Sequence, residues 1–165
     1  MLILFSQQIL GLSGFGHGLL LTAEAAGGVL GGLIGPMIVA RLGKTLSLAL
    51  ALVLIPPGFL AISLTATTAI VAFALFATMF AGLLWNVVTD SCRQRLIPDA
   101  LLGRVNSIYR FFGWGMMPIG AVAAGAIVTL AEPHLGRELA LRAPFALAAL
   151  GCFGLLGYGA AKLRL

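Results

Sequence analysis

Apolar residues run along this chain in blocks of about 20, the length a helix needs to cross a bilayer, and the polar residues fall between the blocks. Five runs stand out, at 18–40, 45–64, 67–89, 105–131 and 143–161. Each is long enough to cross a hydrocarbon core of about 30 Å as a helix, the form that satisfies its own backbone in lipid. Arg41, Gly43 and Lys44 stop the first run, and Asp90 ends the third. Pro56 and Pro57 remove two adjacent backbone donors near the middle of the second, which predicts a kink or a break there. Pro118 marks a milder kink in the fourth. Residues 1–12 are apolar but too short to span alone, and Ser6-Gln7-Gln8 interrupts them.

Composition turns this pattern into a fold class. The 165 residues are 61% hydrophobic and 9% charged, against about 25% charged in a soluble domain. So few charges leave lipid as the solvent for most of the surface. The expected protein is an all-α integral membrane protein with about five transmembrane helices, a stub at 1–17 and a bundle at 18–165. The first residues lack the basic region of a secretory signal. Cys92 and Cys152 lie in different segments without metal-ligand spacing, so both are expected as free thiols.

The net charge of +5 does not point to nucleic acid, because the basic residues sit singly or in pairs between apolar runs. Their placement follows the positive-inside rule instead. Arg41, Lys44, Arg93, Arg95, Arg104, Arg110, Lys162 and Arg164 fall on one side of the alternating connectors. Only Arg137 and Arg142 fall on the other, offset by Glu132 and Glu138. The expected topology has the N-terminus outside and the C-terminus in the cytoplasm. An odd number of spans entered from outside reads as the latter part of something longer.

A few polar residues inside the runs are candidates for chemistry. Glu24 lies six residues into the first run, where a carboxylate costs about 3 kcal/mol on insertion scales. The nine Leu, Ile and Val residues of that run offset the cost. His17, Glu24, Gly28, Gly31 and Gly35 share one helical stripe, and Gly27 keeps four-residue spacing with Gly31 and Gly35. Such spacing lets helices approach closely, so Gly27, Gly28, Gly31 and Gly35 are read as a packing seam that turns Glu24 into the bundle. Glu24 is then either a protonatable or cation-binding group, or a carboxyl hydrogen-bonded to a neighbouring helix. Asp90 stands at a helix C-terminus, where the macrodipole disfavours an anion, and Arg93 one turn on can hold it as a latch. Arg110 needs either snorkelling or a partner, with Asp90 and Asp99 both available. Tyr109 and Trp114 fit an interfacial belt or pack inside, and Arg95 is read as a solvated topology charge. HExxH, GxSxG and phosphate-loop motifs are missing, so no enzymatic activity, catalytic residue, metal site or cofactor is expected.

The stretch "NVVTDSCRQRLIPDALLGRVNSIYRFFGWGMMPIGAVAAG" (86–125) resembles the junction of the tenth and eleventh helices in major facilitator superfamily transporters. It is most similar to the bacterial branch of enterobactin exporters and macrolide efflux pumps. "GHGLLLTAEAAGGVLGGLIGPMIVARLGKT" (16–45) resembles the eighth helix and the loop after it. In that loop Arg41, Gly43 and Lys44 match the family motif, while Ala40 stands where the family has an acid and Pro36 where it has a glycine. The resemblance implies the end of a seventh helix followed by helices eight to twelve, in a bacterial inner membrane. It also implies two halves rocking about a midplane site, with this chain supplying one. On that footing the expected function is the C-terminal half of a proton-coupled exporter of small, partly apolar compounds. Glu24 would make the coupling or substrate contact, and Asp90, Arg93, Arg104 and Arg110 would form a cytoplasmic gate. The partners implied are the bilayer, a small-molecule substrate, and an N-terminal half or a second copy. The alternative is a truncated, transport-inactive membrane fragment.

Overall fold

A computed structural model describes residues 1–163; Arg164 and the side chain of Lys162, both counted in the basic tail, lie outside that description. Four helices form: α1 (Leu2–Gln8), α2 (Gly14–Leu64), α3 (Thr68–Leu96) and α4 (Asp99–Leu163). The last three are long and apolar enough to cross a membrane. With its 29 residues, α3 is about 43 Å long, more than a hydrocarbon core of about 30 Å requires. Together they make a multi-pass, membrane-embedded helical protein.

Two of these helices are not single rods. Gly43 interrupts α2 at φ 78°, ψ 170°, and Gly136 interrupts α4 at φ 76°, ψ 164°. A side chain is not tolerated in that region of backbone space, so glycine is what lets the chain reverse there. Ser47 donates to the Gly43 carbonyl at 2.7 Å and so satisfies an acceptor freed at the first break. The second arm of α2 (44–64) doubles back on the first (14–42), with Ile38 and Val39 packed beside Leu50 and Leu54. At the expected break, the backbone of α2 stays helical through Pro56 and Pro57. Pro56 is buried, and buried contacts at Ala51, Gly58 and Ile62 hold the arm on both sides of the pair.

The closest helix approach lies between α2 and α3. Gly27, Gly31 and Gly35 are all buried. A Cβ on Gly27 would fall inside the Phe76 carbonyl, and one on Gly31 would lie 2.7 Å from the Phe80 carbonyl oxygen. One turn on, a Cβ at Gly35 would sit 3.3 Å from Val87 Cγ2, and at Gly28 3.2 Å from Met79 Cγ. The rising numbers on both helices show that arm 14–42 runs parallel to α3. Gly58 lies against Thr78 and Ala74 while Ala51 packs with Ala81 and Leu84, so arm 44–64 runs antiparallel to it.

The opposite end of the bundle is closed by α1. Phe5 is fully buried with Leu20, Ile62 and Val71, and meets Phe145 edge-on at 5.3 Å between centroids. The N-terminal stub is therefore part of the core. Ser6 donates to the Ile3 carbonyl and lies 2.9 Å from His17 Nδ1. Arg142, on the second arm of α4, donates to the carbonyls of Ser63 (2.8 Å) and Thr65 (3.1 Å) and pairs with Glu138. A cation at the C-terminus of α2 answers both its unpaired carbonyls and its macrodipole.

The first arm of α4 is different. Every residue from 107 to 123 is exposed, with Phe111 at 73%, Trp114 at 71% and Val122 at 73%. The arm stands away from the α2–α3 core and touches α3 only near its start.

The seam gives a direct test. Gly27→Ala is expected to destabilise the bundle by about 1–3 kcal/mol, the ordinary range of overpacking. Gly32→Ala, with nothing within 4 Å of its added Cβ, should stay within about 0.5 kcal/mol of the parent. Unfolding in a denaturing detergent series measures both, and equal midpoints would contradict the seam.

Candidate functional site

The 91–110 stretch that reads as a basic connector is almost entirely helical. Arg93 and Arg95 occupy the last turn of α3, Arg104 and Arg110 ride on α4, and only Ile97 and Pro98 link the two helices. Both helices continue beyond the ends of the apolar runs that hydropathy marks. Cations on the last turn of α3 are favoured by its macrodipole.

Between α3 and the first arm of α4 lies a cavity of about 640 Å³. Asn86, Asp90, Arg93 and Gln94 line it from α3, and Asn106, Ser107, Tyr109, Arg110 and Trp114 line it from α4. Arg93 pairs with Asp90 one turn earlier. Its guanidinium carbon also lies over the Tyr109 ring, 3.7 Å from the centroid, and ties α4 to α3 at this end. Arg93 Nε is buried and has no hydrogen-bond partner among the described residues. Arg110 is exposed and forms no ion pair among the described residues. The cavity lining therefore carries two cations and one anion.

The sequence-derived candidates do not all converge. Asp90, Arg93 and Arg110 share the cavity, while Arg104 is exposed and outside its lining. Glu24 lies on the other arm system, one turn before Gly27 and Gly28, half-buried and without a hydrogen bond or ion pair among the described residues. Gln94 and Ser107 enter unforeseen as cavity members, while Asn106 lies on one helix face with Arg110, and Tyr109 and Trp114 also line the cavity. The Arg93–Tyr109 stack joins two helices across a turn, and no local spacing rule reports such a contact. The spacing of Asp90 and Arg93 did report their pairing.

A second, apolar cavity of about 350 Å³ lies among Leu52, Ile55, Trp85, Cys152 and Leu155, and touches Asn86. Cys92 and Cys152 are free thiols. No cluster of metal-binding side chains occurs among the described residues. Comparison with known protein families, curated proteins and solved structures finds no match to this chain.

The stack is testable by a double-mutant cycle. Arg93→Gln and Tyr109→Leu should couple by about 1 kcal/mol, within the range of partly desolvated cation–π contacts. Detergent unfolding of the parent, both single variants and the double variant measures it. A coupling near zero would mean that ring and guanidinium do not associate.

Proposed function

We propose that this chain is the C-terminal half of a secondary active transporter of the major facilitator type, a proton-coupled exporter of small, partly apolar compounds in a bacterial inner membrane. The observation that carries the proposal is the open side of the bundle. A polar cavity lies between α3 and an arm of α4 whose residues 107–123 are bare all round. A second set of helices packed there would enclose the cavity and create a passage between two halves. The five helical segments, reversed at Gly43, at 65–67, at 97–98 and at Gly136, act as helices eight to twelve of that fold. The basic end, with Arg41, Lys44, Arg93, Arg95 and Arg104, faces the cytoplasm.

In this reading Glu24 exchanges the coupling proton. It is a half-buried carboxylate in an apolar helix with no cation beside it among the described residues, and an ionisable group so placed is costly enough to call for a function. Asp90, Arg93 and Arg110 form the gate, opening and closing as α4 moves against α3. The bare arm equally supports a half-transporter that pairs with a separate half or with a second copy. The transport-inactive fragment is the remaining alternative.

Proton-driven efflux of a panel of amphipathic dyes from energised cells tests the proposal. Glu24→Gln should lower the export rate at least about tenfold, the scale on which proton-transfer groups act, with membrane abundance unchanged. Undiminished export by that variant would remove Glu24 from the mechanism. A parent protein that exports nothing with a partner half present would favour the inactive fragment.

A further inference from the structure

The cavity between α3 and α4 has a polarity gradient along its length that a gate alone does not require. Leu83 and Trp114 line its deep end, then Asn86 and Arg110 follow one turn on, and Arg93 with Gln94 line it near the polar rim. Both helices change character in the same direction, because α3 descends toward Leu96 as α4 rises from Asp99. The cavity lies between two helices that barely touch, and Trp114, which lines it, is 71% exposed. An amphiphile lying in the bilayer has the same gradient, with a charged head at the interface and acyl chains below.

The charge at the rim selects the head. Asp90 engages only one guanidinium nitrogen of Arg93, and the neighbouring Nε–H is buried and unsatisfied. The other terminal nitrogen of Arg93 makes no hydrogen bond among the described residues and is left for a ligand oxygen. Arg110 adds a second cation without a carboxylate partner among the described residues, and the side-chain amide of Gln94 adds a neutral donor. Guanidinium forks and amide donors fit phosphate oxygens. A volume of about 640 Å³ accommodates a headgroup with its glycerol. We propose that this cavity is a binding site for an anionic phospholipid, its phosphate held by Arg93 and Arg110 and its acyl chains lying along the bare arm of α4. The proposal rests on the membrane-spanning structure and applies to this chain with the arm at 107–123 facing lipid, before any second half is packed on it. A bound lipid here would fix the spacing of α3 and α4 where they otherwise meet through the Arg93–Tyr109 stack.

Brominated lipids test it with the full chain in nanodiscs. Trp85→Phe leaves Trp114 as the sole tryptophan, and bromine on an acyl chain quenches a tryptophan it touches. In a phosphatidylcholine matrix holding a few per cent brominated phosphatidylglycerol, quenching of Trp114 should exceed the value for random mixing at least about fivefold. Brominated phosphatidylcholine should show no excess. Arg110→Gln should reduce the excess to the random value at unchanged helical content, while Arg95→Gln, outside the cavity, should retain it. Quenching at the random value in the parent, or an Arg110→Gln variant with undiminished preference, would overturn the proposal. Millimolar inorganic phosphate that abolishes the excess would show that the anion alone is recognised, and would overturn the lipid assignment. No transport is measured, so a failed efflux assay and a failed lipid assay remain separate results.

Discussion

Everything in this bundle hangs on how closely α2 can approach α3. Lipid chains are as apolar as leucine, so burying greasy side chains gives helices in a bilayer little reason to associate. What remains is dispersion at short range, and glycine makes short range attainable. Gly27 and Gly31 set the backbone of α2 against the carbonyls of Phe76 and Phe80, with no room for a single methyl group. That contact fixes the parallel pair, and the reversal at Gly43 then lays arm 44–64 antiparallel on α3. Several hydroxyls along these helices donate back to carbonyls one turn earlier, as at Ser47, Thr89 and Ser91, so these need no partner in lipid.

The two ends of the bundle are built on different principles. At the end closed by α1, charges are matched: Arg137 with Glu132, Arg142 with Glu138, and Arg142 on the carbonyls that terminate α2. This end is knit together. At the basic end cations outnumber anions, an Arg93 nitrogen is left unsatisfied, and the Arg93–Tyr109 contact joins α4 to α3. This uneven distribution of polar contacts is what supports the proposal of a gate among Asp90, Arg93 and Arg110.

Much of this was legible from the residues. Arg41, Gly43 and Lys44 announced the first reversal, four-residue glycine spacing announced the seam, and i,i+3 spacing announced the Asp90–Arg93 pair. The misreadings share a cause. Hydropathy reports the lipid boundary, so it ended the third run at Asp90 although α3 continues to Leu96. It also counted Arg93, Arg95, Arg104 and Arg110 as one connector although two helices carry them. Pro56 and Pro57 weaken a helix locally, yet Ala51, Gly58 and Ile62 anchor the arm on both sides and the helix persists. The cavity was invisible because its walls come from helices that meet only in three dimensions.

The alternating arrangement of the five segments is the foundation of the whole account, and cysteine labelling tests it most directly. In a background where Cys92 and Cys152 are replaced by serine, single cysteines are introduced by Thr45→Cys, Ala66→Cys, Pro98→Cys and Leu135→Cys. A membrane-impermeant maleimide is then applied from each side. Reaction of the first and third from the cytoplasm alone, and of the second and fourth from outside alone, is the expected result. Any two consecutive positions labelled from the same side would contradict the five-segment topology, and with it the transporter proposal.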